Sequence, residues 1–167
     1  MIEFRKGKPG DGALIASTRQ KCWDATYRGI FPDEAIDEFD FQWHTARDEK
    51  RLADPSFNYF LVMDGEACVG YFSFGSIQEG IYKDFRFHLQ SLYLLKQYQG
   101  RGIGKRMMVQ VFASCRKAGA DKLFWECSPH NAPAIGFYTH LGAVMTELDS
   151  GHANPQEDAC YFEYTFT

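Results

Sequence analysis

Hydrophobic and polar positions along the chain alternate between strand-like and helix-like blocks, and the order of those blocks predicts the architecture. Residues 2–6 alternate apolar and charged side chains, as a first strand would. Pro9-Gly10-Asp11 breaks that run, with Asp11 placed to cap a helix extending to about Arg28. Ile15, Thr18, Cys22 and Ala25 form one stripe of this helix, Trp23 and Tyr27 share a neighbouring face, and Gly29 closes it. Pro32 opens a short second helix, and a third helical pattern covers 41–53 until Asp54-Pro55 stops it. Apolar and aromatic runs at 58–63 and 67–74 flank Asp64-Gly65, read as a two-residue hairpin turn. A polar connection over 75–83 leads into a strand over 85–95. The next helix, 104–118, places Met108, Val111, Phe112 and Cys115 on one face, and Gly119 ends it. A strand over 122–127, a short helix capped by Asn131 and ended by Gly142, and two final strands at 143–148 and 159–166 complete the chain. The order β-α-α-α-β-β-β-α-β-α-β-β predicts one α/β (α+β) domain over 1–167, a mixed sheet with helices against it.

The most informative junction lies between the strand over 85–95 and the helix after it. Residues 90–105 read Q-S-L-Y-L-L-K-Q-Y-Q-G-R-G-I-G-K, a β-capable run followed by Gly100, Gly102 and Gly104. Glycines there accept positive φ and let backbone N–H groups approach a ligand, and the helix they open favours an anion at its N-terminus. A dinucleotide fingerprint from Gly100 needs glycine where Lys105 stands, and one from Gly102 needs it where Met107 stands. A P-loop ending in Gly104-Lys105 needs glycine at Gln99 and Ser or Thr at Arg106. The pattern that does fit is Q/R-x-x-G-x-G/A, as Gln99-Gly100-Arg101-Gly102-Ile103-Gly104 after Leu92-Tyr93-Leu94. It resembles the GNAT family of N-acetyltransferases, whose element order is also the one predicted above. The resemblance implies a central mixed, mostly antiparallel sheet of about seven strands flanked by about five helices. It also implies that Gln99 to Lys105 hold the pyrophosphate of acetyl-CoA, while Leu92 and Leu94 pair with its pantetheine arm.

Composition narrows the setting. Apolar residues at 45% and charged residues at 24% are ordinary for a globular domain, and a 16% aromatic share predicts an aromatic-lined core or cleft. A net charge of −4 argues against general affinity for nucleic acid or anionic membrane. Lys96, Arg101, Lys105 and Arg106 nevertheless cluster around the glycine turn, where a small polyphosphate would meet positive potential. Five scattered cysteines without a C-x-x-C pair predict neither a disulfide framework nor a zinc site. With no signal segment and no apolar run of membrane length, a cytoplasmic setting is expected.

A second motif carries the chemistry. Asn131, Ala134, Phe137 and Tyr138 form N-x-x-A-x-x-F-Y before Leu141-Gly142, which resembles the second GNAT signature. By that resemblance Asn131 bonds the pantetheine arm and Tyr138 points its phenol at the thioester sulfur. The segment W-D-A-T-Y-R-G-I-F-P-D likewise resembles the family's acceptor-side wall, which assigns Trp23 and Tyr27 to substrate binding. The implied reaction is acetyl transfer from acetyl-CoA, without a metal, directly to a primary amine on a small molecule or peptide. Such an amine must first lose a proton, at roughly 4 to 5 kcal/mol near neutrality. His88 occupies about the position of the glutamate base in histone-type members, and an imidazole suits proton transfer near pH 7. Glu126 is the competing base. It points opposite to Trp125 and Cys127 along its strand, so only one of the two sets faces the cleft. A backbone N–H near Leu94 is the expected oxyanion donor. Cys127, the nearest thiol, has no evident activator, which favours direct transfer over an acyl-enzyme. The rival reading is a non-catalytic acyl-CoA-binding domain of the same fold. A homodimer through the final strands is compatible with the family.

Overall fold

The computed structural model describes residues 1–77 and 84–167. In chain order it comprises β1 (Ile2–Lys6), α1 (Gly12–Tyr27), α2 (Asp33–Asp37), α3 (Phe41–Leu52), β2 (Phe57–Asp64), β3 (Ala67–Ile77) and β4 (Arg86–Leu94). These are followed by α4 (Ile103–Lys117), β5 (Lys122–Cys127), α5 (Ala132–His140), β6 (Val144–Asp149) and β7 (Ala159–Thr165). The strands make one seven-stranded sheet in the order β1-β2-β3-β4-β5-β7-β6. Every neighbouring pair is antiparallel except β4 and β5, which run parallel with α4 as their crossover. The predicted element order holds across the described residues.

Both faces of the sheet are covered. On one, Met107, Met108, Val111 and Cys115 of α4 are fully buried against Val62, Phe72, Phe74, Leu123 and Trp125. On the other, Ile15 of α1 packs on Tyr59, Leu61 and Tyr71. Odd and even positions of β2, and of β3 from Tyr71 onward, therefore serve different cores, which is why those strands read as continuous apolar runs.

The helical face is tied down by charge. Arg19 of α1 and Asp48 of α3 pair at 2.7 Å with side chains only 3% and 0% exposed. The Tyr59 hydroxyl donates to the same carboxylate at 3.2 Å, and Arg19 lies over the Tyr71 ring at 5.2 Å. Beside the pair sits His44, whose imidazole burial and the Arg19 and Arg47 charges push down to about 4.

Three local expectations change. The Asp11 side chain does not cap α1; its carboxylate takes the Arg5 guanidinium at 2.9 Å and the Lys8 N–H at 2.9 Å. The free amides of Gly10 and Gly12 donate instead to Glu49 of α3, at 2.9 and 2.6 Å, a cap supplied from a distant part of the chain. In the hairpin, Asp64 pairs with Ala67, so the two turn residues are Gly65 and Glu66, with Gly65 at φ +60° as a II′ turn requires. Finally, β3 runs on to Ile77 where a connection was expected, and the rest of that connection, 78–83, lies outside the described residues.

Candidate active site

The site begins with a strand that leaves its partner. β4 pairs with β5 only at Arg86, Phe87 and His88, opposite Lys122, Leu123 and Phe124. Beyond that point β5 stays bonded to β7 and the two parallel strands part. On its other edge β4 remains paired with β3 through Leu94. The Leu95 N–H donates to Val69 O, and in an antiparallel ladder alternate residues bond the same neighbour. Tyr93 thus bonds toward β3, whereas Leu92 and Leu94 turn their N–H and C=O groups toward the gap. The Gln99 side chain confirms the direction by donating to Leu94 O at 3.0 Å, from outside the sheet.

At the open end of the gap the chain turns through a 3-10 segment, Lys96–Tyr98, into the glycine loop. Gly100 and Gly102 both adopt left-handed backbone, at φ +71° and +75°, and Gly102 is the residue that caps α4. No side chain caps that helix, and its first main-chain bond is Arg106 N–H to Gly102 O. Among the described residues, the amides of 100–105 therefore have no acceptor within the chain. A run of free amides at a helix N-terminus is an anion site of the kind a diphosphate fills. Gly104 serves a different end, since a Cβ there would meet the Phe137 ring at 3.3 Å, so its absence lets α5 pack close.

Between β4 and β5 lies a cavity of about 720 Å³. Leu92, Leu94, Gln99, Gly100, Gly102, Gly104 and Lys105 line one part of it, with Lys96 adding a further cation. Ile103 is buried in the core and offers the site only its backbone, and Arg101 lies instead over the Tyr98 ring at 5.2 Å. Asn131 and Tyr138 line the opposite wall. The Asn131 side-chain Oδ1 accepts from Ala134 N–H at 3.2 Å and so caps α5, and the residue lines the cavity. Tyr138 is wedged against Trp125 and Phe162 at 5.0 and 5.5 Å, and its buried phenol is pushed well above its ordinary range. No group among the described residues hydrogen-bonds its hydroxyl.

His88 and Glu126, two candidates for one role, come together. Burial of the Leu123 and Trp125 side chains turns Phe124 and Glu126 to the opposite face, where His88 stacks on Phe124 at 4.7 Å. His88 Nε2 lies 3.1 Å from Glu126 Oε2. That hydrogen bond draws the Glu126 carboxyl below its usual range, so Glu126 is the acceptor and His88 Nε2 carries the proton. Glu126 lines the cavity with its side chain 50% exposed, while His88 stands behind it.

The α1 residues divide. Tyr27 lines the cavity next to Asn131 and stacks on Phe31 at 4.3 Å. Trp23 does not line it; its ring is surrounded by Tyr27, Phe31, Phe39 and His44, and its Nε1–H donates to Tyr93 Oη at 3.1 Å. Trp23 is thus a strut between α1 and β4 in this structure. The polar lining residues that were not anticipated include Thr26, Gln90, Ser91, His140 and His130, whose Nε2 is 2.7 Å from Asp158. Its partner is 28 residues away in sequence, so no local pattern announces the pair.

A model of the acetyltransferase (GNAT) family matches residues 19–143, from the middle of α1 to the start of β6. The chain belongs to the GNAT acetyltransferase family. Its matched span contains both the glycine loop and the Asn131-to-Tyr138 helix. Streptothricin acetyltransferase of Streptomyces lavendulae is 24% identical, covering 95% of this chain and 92% of that protein. The N-alpha-acetyltransferase RimI of Mycobacterium tuberculosis is also 24% identical, covering 78% of this chain and 75% of its own. Among solved structures, the PaiA N-acetyltransferase of Thermoplasma acidophilum in complex with coenzyme A superposes with a TM-score of 0.80. It does so at 18% identity over 99% of both chains, a likeness of fold. In this GNAT chain the parted strands and the free amides share one cavity with Glu126 and Tyr138.

Proposed function

We propose that the chain transfers the acetyl group of acetyl-CoA directly to a primary amine bound in the same cavity. The observation that carries this reading is the continuity of the cavity. Residues of the turn whose amides at 100–105 are free for a diphosphate, the gap-facing backbone of Leu92 and the Leu94 N–H for an amide-bearing arm, and the Glu126 carboxylate and Tyr138 phenol all belong to this one cavity. Acetyl-CoA supplies an activated acyl group and a thiol leaving group; everything else comes from the protein.

Each candidate residue then has a task suited to its state. The Leu94 N–H, pointing into the gap, is placed to hydrogen-bond an acyl oxygen as it gains charge. Tyr138 keeps its proton and gives a hydrogen bond to the departing sulfur. Glu126, ionised and oriented by His88, attracts the acceptor ammonium and accepts its hydrogen bond. A carboxylate is a weak final base for this proton: from an alkylammonium near 10.4 to a group below 4.5 is about 8 kcal/mol uphill, against about 5 for an ordinary imidazole. The proton accordingly moves on, through water or the neighbouring imidazoles. Cys127 takes no covalent part, because burial and the Cys160 thiol, 3.4 Å away, push its own thiol far up.

Thiol release from acetyl-CoA across a panel of primary amines, run beside calorimetry of CoA binding, tests the proposal. Turnover with at least one cationic amine is expected. Binding of CoA without turnover on any amine would instead make the chain an acyl-CoA-binding domain.

A further inference from the structure

We propose that His130, positioned by Asp158, is a second acid–base group of the site and the residue that finally takes the proton of the acceptor amine. This rests on the acetyl-transfer reading above. His130 follows β5 directly and lines the same cavity as Glu126 and Tyr138, from the junction with α5. Its Nε2 lies 2.7 Å from Asp158, a carboxylate only 4% exposed at the start of β7. Asp158 is itself held by the N–H of His152 at 3.0 Å and by His152 Nδ1 at 2.8 Å. His152 has a further acidic neighbour in Asp149, at 3.6 Å. The backbone beside the imidazole is fixed as well, because the His130 N–H donates to Ser128 Oγ at 3.2 Å.

The geometry decides the tautomer. Those hydrogen bonds hold the Asp158 carboxyl down to about 2, so across the working range it can only accept. His130 Nε2 is then the donor, and Nδ1, which no group among the described residues bonds, is the lone-pair nitrogen of the neutral ring. An imidazole with one nitrogen locked on a buried carboxylate and the other free is the arrangement of a positioned base. Nothing in the packing of α5 or β7 requires a histidine there, since its side chain is 40% exposed.

The proton balance needs such a group. An ammonium that becomes an amide gives up two protons. One ends on the CoA thiol, whose C–S bond breaks as the C–N bond forms. The other leaves for solvent, and Glu126 is too weak a base to hold it. In the proposed route it passes from the ammonium, held by Glu126, to His130 Nδ1, and from the exposed imidazole to water. The nitrogen lone pair so released forms the bond to the acyl carbon.

Three variants of the full chain test this: His130→Gln, His130→Ala and Asp158→Asn. His130→Gln is expected to lower kcat about 10²- to 10⁴-fold, with the KM for acetyl-CoA and the calorimetric affinity for CoA unchanged. Added imidazoles should restore His130→Ala in proportion to their basicity. Asp158→Asn should lower kcat while keeping CoA affinity. Independently of turnover, nitrogen-detected NMR of the free protein should show His130 with hydrogen on Nε2 and a bare Nδ1, and the Nε2–H signal should be lost from slow exchange in Asp158→Asn. A His130→Gln enzyme within threefold of wild type, a loss confined to KM, or hydrogen found on Nδ1 would overturn the assignment. Wild-type protein that acetylates no amine would overturn the acetyl-transfer reading itself, a result distinct from an active His130→Gln.

Discussion

Replacing Gly102 by alanine tests whether the free amides of the glycine loop are held in place by backbone conformation. Gly102 sits at φ +75°, ψ −1°, and an added Cβ would meet nothing within 4 Å. The substitution therefore introduces no clash, and its whole effect is the penalty of placing an L-residue in left-handed backbone, about 1 to 2 kcal/mol. That quantity can surface in two places. If the loop keeps its shape, it lowers stability, and for a chain of this size each kcal/mol is about 2 to 4 °C in Tm. If the loop relaxes in the free protein, the amides of 100–105 turn apart and CoA must restore them, which weakens binding about 5- to 30-fold. The two losses share one total, so a large drop in Tm predicts a small change in Kd, and the reverse. Thermal melts and CoA calorimetry on Gly102→Ala, with Gly102→Asn as the control, measure both. Asparagine visits left-handed backbone more readily and should recover part of the loss. An unchanged Tm together with an unchanged Kd would show that the loop's conformation has no part in holding the ligand.

Tyr138→Phe should slow turnover while leaving CoA affinity within about twofold, because the ring packing on Trp125 and Phe162 survives; equal losses in rate and binding would place the hydroxyl in cofactor binding instead. Asp48→Asn leaves Arg19 buried without its counter-charge and should destabilise the fold by about 3 to 5 kcal/mol in urea unfolding, a range typical for breaking a buried pair. A loss under about 1 kcal/mol would mean that Arg19 finds water. His44 gives a pH signature: its imidazole titrates near 4 in the folded chain, below the ordinary 6.5, so the unfolded state binds the extra proton first. The stability this contributes is fully present above about pH 6.5 and is lost as pH falls toward 4, by an amount on the order of 1 kcal/mol after allowance for solvent. His44→Gln should flatten that part of the profile, and an unaltered slope would assign it to other groups.

What the sequence made legible was local and periodic. The order of elements, the α4 stripe of Met108, Val111, Phe112 and Cys115, and the Asn131 cap all follow from spacing along a single element. The glycine loop was legible for the same reason, since positive φ at Gly100 and Gly102 is a property of those residues. Contacts between distant segments were not. Asp11 carries the signal of a cap, yet Glu49 of another helix supplies it, because the Arg5 guanidinium competes for the Asp11 carboxylate. Trp23 and Tyr27 look equivalent at helical spacing, but the indole is enclosed by Tyr27, Phe31, Phe39 and His44, and only Tyr27 of the two lines the cavity. His88 and Glu126 read as rivals, and only the short parallel register between β4 and β5 makes them one hydrogen-bonded pair. His130 had no signal at all, its meaning residing in Asp158, just before the strand β7 that pairs with β5.

The decisive backbone event in β4 is a single extra residue. Phe74 pairs with Leu89 but Ser73 pairs with Ser91, so Gln90 has no partner on β3 and forms a bulge. Up to that point odd positions, Phe87 and Leu89, face the α4 core; beyond it Leu92 and Leu94 do, and Tyr93 turns to the α1 side. A regular strand could not satisfy both halves, because side-chain face and hydrogen-bonding edge alternate together. With the bulge, His88 reaches the face where Glu126 stands, and four residues later the main chain presents Leu92 and then Leu94 to the gap. The same local twist that a bulge imposes helps carry β4 away from β5, so the opening and the orientation of its free backbone groups have a common origin. The chemistry proposed for this cavity thus depends on one unpaired residue as much as on the side chains that line it.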